Sequence, residues 1–360
     1  MLGKKFSELN DCISVVLTTF NDEDTITPVL INLLSAGLPP SSLQLIIVDG
    51  GSTDNTLQLV QSFIKEHGNS FKESLLITHS KNLGVSKARN DGIRLAKCMY
   101  TLILDSDIIL PPDTLKNMLL YLASTHQKEP HVIGVKIMLD TAFPIFRKIA
   151  YGKIHKRNLG ASETLLIATD IIKKNTYNEN LGPPHTSDED IELGARLLRN
   201  GYKIHLLGNI IGEHRKSSST LYIAKSKTLR DIFKKTTRII KSYFHPCVQK
   251  GFYAYYKSLP LIDKIFYMVY FTIVFILVPI SLIFLIMFTI YISPLYISLL
   301  IAMLITIGLI FEAEVDLEGL FDIRRIHLFL SYCVMVIFNR ALRFSSMLLY
   351  ILKRINMQKY

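Results

Sequence analysis

Two aspartates, Asp105 and Asp107, stand near the end of the apolar stretch YTLILDSDII, residues 100–109. If that stretch is a strand, residues i and i+2 point to the same side, so both carboxylates can face one point. Hard divalent cations such as Mg²⁺ and Mn²⁺ favour carboxylate oxygens and often share them with substrate phosphates. An Asp-x-Asp sequence also suits an ordinary polar exit from a strand. The elements around it must therefore decide which interpretation holds.

A second group of acids lies in the stretch SDEDIEL, just before a helical pattern. Its members are Asp188, Glu189, Asp190 and Glu192. Acids at a helix N-terminus are favoured by the helix dipole and by capping, which explains such residues without any catalytic role. Four acids are more than capping needs. One of them is then available as a general base that takes a proton from a substrate hydroxyl.

The elements that must position these acids alternate between apolar runs and helical patterns. Four strands are predicted, CISVVLTTF, LQLIIVDG, SLLITHS and YTLILDSD, and helices over about 24–36, 53–68 and 84–97 separate them. This alternation predicts an α/β fold with a mostly parallel sheet and helices on both faces. Ligands bind such sheets at the carboxyl ends of the strands. The predicted strands end there in polar residues, namely Thr18, Thr19, Asp49, His79, Ser80, Asp105 and Asp107.

Five motifs follow one another in this part of the chain: VLTTFND, LIIVDGGSTDNT, NLGVSKARNDGI, LILDSDIIL and SDEDIELGARLLRNGYKI. In this order and at these intervals, residues 12–215 resemble the glycosyltransferase family 2 enzymes, nucleotide-sugar-dependent transferases of the GT-A fold, a Rossmann-like α/β architecture. A dinucleotide-dependent dehydrogenase would instead need Gly-x-Gly-x-x-Gly after the first strand, where this chain has TTFNDEDT. The resemblance therefore implies sugar transfer.

The resemblance implies a donor-binding role for residues at the strand ends, namely Thr18, Phe20, Asp49, Arg89 and Asp105. Thr18 and Phe20 would line the base pocket, and Asp49 would hydrogen-bond the base or ribose. Many relatives have a second acid where this chain has Gly50. Arg89 would face the diphosphate, because a planar cationic donor suits phosphate oxygens. An arginine on a helix surface is the alternative for Arg89.

A divalent metal, Mg²⁺ or Mn²⁺, is implied by the same resemblance. Asp107 is the first candidate ligand, with Asp105 sharing the motif and His214 in GEHRKSSS standing where some relatives offer a histidine. A structural or solvent-exposed histidine is the alternative for His214. The metal would offset the charge that gathers on the departing nucleoside diphosphate.

The catalytic pair implied by the resemblance is Glu189 and Asp190, with Asp190 as the base and Asp188 as the second choice. A lipid phosphate acceptor is already ionised, so the base would then matter less and orientation more. The preceding loop NLGPPHTSDED is either an acceptor-site lid with Gly182 as its hinge or a plain connection.

A membrane anchor is predicted after the catalytic region. Residues 265–311 run for 47 positions without a charge, long enough for two spans of about 20 residues. Ser293-Pro294 suits a turn, so we expect a hairpin of residues 265–292 and 295–311. A buried core helix would not stay free of charge for so long. The last apolar segment, residues 327–352, carries Arg340 and Arg343, which favours an interfacial helix over a third span.

The net charge of +11 is concentrated just before the first span. Residues 215–264 hold 12 Lys and Arg against two Asp, a net of +10. This predicts basic amphipathic helices on anionic lipid and a cytoplasmic flank. Nucleic acid is the weaker interpretation, because no nucleic-acid-binding motif accompanies the charge. The N-terminus lacks the apolar run of a secretory signal. Four scattered cysteines predict reduced, inert thiols.

Together these features predict a multi-pass cell-membrane glycosyltransferase with its catalytic domain in the cytoplasm. The predicted parts are a catalytic domain at 1–219, interfacial helices at 220–262, a hairpin at 263–312, and a return loop with a membrane-associated helix at 313–360. The expected partners are a nucleotide-sugar donor, a polyprenyl- or dolichyl-linked acceptor and membrane lipids, with a homo-oligomer left open. The alternatives are a polysaccharide synthase, weakened by the absence of tryptophan, and a catalytically silent membrane scaffold.

Overall fold

The computed structural model describes residues 12–139, 154–155, 163–182 and 189–215. Contacts divide the chain into one unit of residues 1–216 and another of residues 217–360, so every described residue belongs to the first. The predicted hairpin, the interfacial helices and the return loop lie outside the described residues. Among the residues that are described, no helix is both long enough and apolar enough to cross a membrane.

The first four strands are rich in β-branched and leucine residues and pair side by side. They are β1 (Ile13–Thr19), β2 (Leu43–Asp49), β3 (Glu73–Thr78) and β4 (Tyr100–Asp105). Every residue of β1 and β2 is buried, as expected for parallel strands that are covered on both faces. Their order in the sheet is β3-β2-β1-β4, and all three pairings are parallel. The predicted strands are thereby confirmed.

Helices cover both faces of this sheet, as predicted. They are α1 (Ile26–Leu33), α2 (Thr56–His67), α3 (Val85–Leu95) and α4 (Thr114–His126). The apolar residues of α1, α2 and α4 join one core cluster, whereas Ala88 and Ile93 of α3 join a second cluster with Val16 of β1. Gly92 lets α3 lie close to the strands, since a Cβ added there would stand 2.4 Å from a methyl carbon of Val16.

The second half of the sheet adds antiparallel strands that the sequence did not predict. The later elements are β5 (Ile108–Ile109), β6 (Val132–Leu139), β7 (Ile154–His155), β8 (Thr164–Ala168), α5 (Thr169–Lys174), α6 (Glu189–Arg199) and β9 (Lys203–His214). Strand β8 lies antiparallel between β4 and β6, and β9 runs parallel to β6. The end of β9 pairs antiparallel with β5 and places His214 opposite Ile108, the residue after Asp107. The α/β prediction is confirmed.

A disulfide joins Cys12 and Cys98, with 5.1 Å between their Cα atoms. The prediction of reduced, inert cysteines is wrong for this pair. The two residues are 86 positions apart, but they come just before β1 and β4, which are neighbouring parallel strands. Their proximity is a product of strand order, which cysteine spacing alone does not reveal. Cys247 and Cys333 lie outside the described residues.

Removing this disulfide should destabilise the sheet. We expect Cys12→Ser with Cys98→Ser to lower the free energy of unfolding by about 2–5 kcal/mol, because the unfolded chain loses a long covalent loop. Thermal melts of the full-length protein with and without reductant measure the effect. Cys247→Ser is the control. Equal melting of the oxidised wild type and the double variant would contradict a stabilising disulfide.

Candidate active site

Six of the predicted site residues line one cavity at the carboxyl ends of β1 and β4. The cavity has a volume of about 400 Å³. Its lining includes Thr18, Phe20, Arg89, Asp105, Asp107 and Glu189. The strand register explains why Thr18 and Asp105 are close together, because Thr18 of β1 pairs with Asp105 of β4. Residues from four separate motifs therefore meet at one edge of the sheet.

Asp22, which the sequence analysis did not single out, organises the loop after β1. Its carboxylate oxygen Oδ2 accepts hydrogen bonds from the Thr19 hydroxyl at 2.9 Å, the Phe20 amide at 3.0 Å and the Ser106 hydroxyl. Its own amide donates to the Thr56 hydroxyl at 2.7 Å. Ser106 stands between the two aspartates of the Asp-x-Asp motif. Asp22 thus connects the loop that carries Phe20 to the loop that carries Asp107. The available signal was an acid three residues after the end of a buried strand.

Asp49 is fully buried at the end of β2. Its carboxylate accepts hydrogen bonds from the amide of Gly51 and from both the amide and the hydroxyl of Ser52. The next residue, Gly50, lines the cavity, and a Cβ there would lie 3.4 Å from the Phe20 Cβ. Phe20 itself is 40% exposed. In this structure Asp49 shapes the loop beneath the cavity, and the flat Phe20 side chain forms its wall.

Arg89 of α3 joins two carboxylates that come from distant parts of the chain. Its NH2 group donates to Oδ1 of Asp105 at 2.8 Å, and its NH1 group donates to Oε1 of Glu189 at 3.0 Å. The guanidinium carbon lies 5.2 Å from the centre of the Tyr177 ring. Burial opposes the charge, but Asp105 and then the other nearby groups raise the pKa of Arg89 well above its usual value. Arg89 is therefore a permanent cation at the back of the cavity.

Glu189 begins α6 and lines the cavity with little exposure. Burial, together with the charge of Asp190, raises the pKa of Glu189 to about 7, although Arg89 opposes the shift. Asp190 is the next residue in the helix and is partly exposed. Asp188 and the rest of the loop at 183–188 lie outside the described residues. The two predicted catalytic acids are thus adjacent, and one of them changes charge near neutral pH.

Stability should depend on pH through Glu189. The unfolded chain releases the Glu189 proton near its ordinary pKa of 4.5, but the folded chain holds it up to about 7. Between these values the folded state binds more protons, so the free energy of unfolding falls as pH rises. We expect Glu189→Gln to flatten this decline in thermal melts between pH 4.5 and 7. Glu66→Gln, at an exposed acid of α2, is the control. An identical decline in Glu189→Gln would contradict the assignment.

Asp107 lies beside His214, the histidine that the sequence analysis named as a candidate metal ligand. Nε2 of His214 is 3.1 Å from Oδ2 of Asp107. The pairing of β5 with β9 produces this contact, and the Arg215 amide donates to the Asp107 carbonyl at 2.7 Å. Burial lowers the pKa of His214, but the hydrogen bond and charge of Asp107 outweigh this, so the pKa is raised. Two of the three predicted metal ligands are therefore together.

The third predicted ligand, Asp105, faces Arg89 with one carboxylate oxygen. Within the part of the chain that the structure describes, no group of three or more His, Cys, Asp or Glu side chains is arranged to hold a metal. Asp107 nevertheless lines the cavity and offers a hard oxygen donor beside a histidine nitrogen. This donor set fits a Mg²⁺ or Mn²⁺ ion that takes its remaining ligands from substrate phosphates and water.

Comparisons with known proteins indicate the family that this chain resembles. Residues 14–134 match the family model described as "Glycosyl transferase family 2". A Methanococcus voltae relative, dolichyl N-acetyl-alpha-D-glucosaminyl phosphate 3-beta-D-2,3-diacetamido-2,3-dideoxy-beta-D-glucuronosyltransferase, is 25% identical over 246 residues, 65% of this chain and 75% of the relative. This alignment extends past the family model.

Other relatives match over a shorter region. The poly(ribitol-phosphate) beta-N-acetylglucosaminyltransferase TarS of Staphylococcus aureus is 33% identical over 113 residues, 31% of this chain and 19% of the relative. The poly-beta-1,6-N-acetyl-D-glucosamine synthase of Staphylococcus epidermidis is 30% identical over 113 residues, 31% of this chain and 26% of the relative. This chain therefore spans only about a fifth to a quarter of these two proteins.

A solved structure shares the fold. The mannosyltransferase PcManGT from Pyrobaculum calidifontis, in complex with GDP-Man and Mn²⁺, superimposes with a TM-score of 0.61 at 15% identity. The match covers 92% of this chain and 87% of that structure. At this identity the likeness concerns the fold alone.

Proposed function

We propose that this chain, whose residues 14–134 match the glycosyltransferase family 2 model, is a glycosyltransferase that moves a sugar from a nucleotide-sugar to a lipid-linked acceptor. The carrying observation is that one cavity is lined by both Asp107, which contacts His214, and Glu189, which Asp190 follows directly in α6. A transferase needs both at once, because charge must be stabilised on the leaving diphosphate while the acceptor is activated.

In the proposed reaction, the donor base lies against Phe20 and the strand end at Thr18. Its diphosphate lies near Asp105 and Asp107. A divalent ion, held by Asp107 and His214, would offset the negative charge on the nucleoside diphosphate as it departs. The acceptor oxygen attacks the anomeric carbon of the sugar from the side opposite the departing diphosphate. This single displacement inverts the configuration of that carbon.

Asp190 is the proposed general base. It takes the proton from the acceptor hydroxyl as that oxygen bonds to the sugar, and the glycosidic bond to the diphosphate breaks in the same step. Glu189 lies deeper and is held by Arg89 at 3.0 Å, so it keeps the first turn of α6 in place. The permanent cation at Arg89 contacts both Glu189 and Asp105.

The lipid-linked acceptor is supported by two observations. The Methanococcus relative carries a dolichyl-linked substrate in its name and aligns with 65% of this chain. The basic stretch of residues 215–264 and the charge-free stretch of residues 265–311 suit a membrane surface and a membrane interior. We therefore propose a membrane protein whose active site works next to the lipid headgroups.

A polymer-forming activity is the second candidate. Two relatives are named for polymer substrates or products, the Staphylococcus aureus and Staphylococcus epidermidis proteins. Their similarity is confined to 31% of this chain, which supports a shared donor-binding half more than a shared acceptor. A single addition to a lipid-linked acceptor remains the preferred proposal.

A donor screen tests the proposal. The full-length protein in membranes is first melted with a panel of nucleotide-sugars in the presence of Mn²⁺, since a bound donor stabilises the folded state. The stabilising donor is then incubated with polyprenyl phosphate or a polyprenyl-diphosphate-linked saccharide, and released nucleoside diphosphate is measured. We expect release that requires both donor and acceptor. Donor binding without release on any acceptor would favour the silent scaffold.

A further inference from the structure

Arg89 is held in a way that does not suit a side chain facing a diphosphate. It is only 3% exposed, and its two terminal nitrogens already donate to Asp105 and Glu189. The remaining donor, Nε, is buried and has no hydrogen-bond partner among the described residues. A guanidinium group whose two terminal nitrogens both donate to carboxylates has few N–H donors left for phosphate oxygens.

The two carboxylates belong to the two ends of the proposed reaction. Asp105 ends β4, and Asp107 follows two residues later in the short loop between β4 and β5, residues 106–107, which we call the donor loop. Glu189 starts α6, and Asp190 follows it directly. Asp105 and Glu189 are 84 positions apart in the chain, yet both contact the Arg89 guanidinium in the cavity wall. Arg89 is thus a bridge between the donor loop and the catalytic helix.

The surroundings of the bridge fix it further. The Ser86 hydroxyl, one turn before Arg89 in α3, donates to the Leu181 carbonyl at 2.7 Å. A Cβ on the next residue, Gly182, would come within 3.0 Å of the Ser86 oxygen and 3.2 Å of the Glu189 Cδ. Gly182 also has a positive φ of 88°, which suits glycine. Leu181 and Gly182 are therefore packed against α3, and Gly182 also lies close to the Glu189 carboxylate.

We propose that Arg89 is a positioning residue that sets the separation between the donor loop and the base on α6, rather than a ligand of the diphosphate. This rests on the proposed function. Lysine could not replace it, because a single ammonium lacks the planar fork that reaches two carboxylates at once. An error of about 1 Å in the placement of a base can cost on the order of 10²-fold in rate, so loss of the bridge should appear in kcat.

The test compares Arg89→Lys and Arg89→Met with Arg94→Met in the full-length protein. Arg94 lies on the same helix but is exposed and pairs with Asp91 and Glu179. For each variant, kcat is measured with the donor and acceptor found above, and the Kd of the nucleoside diphosphate is measured by calorimetry. We expect both Arg89 variants to lose about 10²-fold in kcat with unchanged Kd, and Arg94→Met to match the wild type.

A double-variant cycle with Glu189→Gln separates bridging from general destabilisation. If Arg89 acts through Glu189, the loss in Arg89→Lys should not add to the loss in Glu189→Gln. Additive losses would overturn the proposal, and so would a weakened nucleoside diphosphate Kd with unchanged kcat. Arg89→Lys keeps the charge, so it serves if Arg89→Met does not fold.

Hydrogen exchange tests the bridge without any turnover. We expect Arg89→Lys to speed amide exchange at the start of α6 and around Asp105, while Arg94→Met leaves both unchanged. Unchanged exchange in Arg89→Lys would overturn the bridge. A wild-type protein that transfers no sugar would instead contradict the proposed function. The exchange result would still show whether Arg89 holds the start of α6 in place.

Discussion

Replacing Asp190 by Asn is expected to lower kcat for transfer to a hydroxyl acceptor by about 10²- to 10⁴-fold, with little change in the Kd of the donor. The amide cannot take the acceptor proton, but it keeps the size of the side chain. Glu189, the neighbouring acid, is buried and is held by Arg89, so it is poorly placed to take over. The loss should therefore lie in the chemical step.

The comparison that tests this is kcat and donor Kd for Asp190→Asn beside Asp170→Asn. Asp170 is also an acid in the first turn of a helix, α5, and is exposed. If Asp190 only stabilises the helix N-terminus, both variants should show a small loss of stability and no loss of turnover. Equal losses of donor binding and turnover in Asp190→Asn would also point to a structural role. A lipid phosphate acceptor, already ionised, should reduce the effect.

The part of the site that could be predicted from sequence is the part set by strand ends. In a parallel sheet the carboxyl ends of the strands share one edge. Thr18 and Asp105 therefore meet through the register of β1 and β4, and no side-chain detail was needed to expect them together. The alternation of strands and helices was likewise readable, because each strand is a buried apolar run and each helix has a period near 3.6.

The rest depended on contacts between segments that are distant in sequence. The antiparallel strands β5 and β7 have only two residues each, too few to show a periodic pattern. His214 reaches Asp107 because the end of β9 pairs with β5. Neither the local sequence around Asp107 nor that around His214 contains this information.

Three polar side chains show the same limit at the level of single residues. The Asp49 carboxylate accepts hydrogen bonds from Ser52 in its own loop, and the Arg89 guanidinium donates to two acids. Asp22 binds Ser106 from a loop 84 positions away. A motif gives the type of residue at a strand end, whereas the direction of its side chain is decided by the nearest partner. Burial fixes this side-chain direction, since a buried polar group without a hydrogen-bond partner destabilises the folded state.

Replacing Asp107 by Ala is expected to abolish metal-dependent transfer, with a loss in kcat of at least ~10²-fold, while the protein stays folded. Asp107 lines the cavity and contacts His214 through one carboxylate oxygen, and its backbone carbonyl still accepts from Arg215 in the variant. The loop after β4 therefore keeps its backbone pairing to β9 when the carboxylate is removed. What disappears is the hard oxygen donor that an ion beside the diphosphate needs.

Two measurements separate a metal ligand from a structural acid. The first is the stabilisation of the donor-bound protein by Mn²⁺ in thermal melts, which Asp107→Ala should lose and His214→Ala should weaken. The second is turnover as a function of Mn²⁺, with Asp24→Ala, at an exposed acid in the loop after β1, as the control. Undiminished turnover in Asp107→Ala would remove the metal assignment. Chelation of the wild type should reproduce the variant, because both leave the charge on the departing diphosphate without its counter-ion.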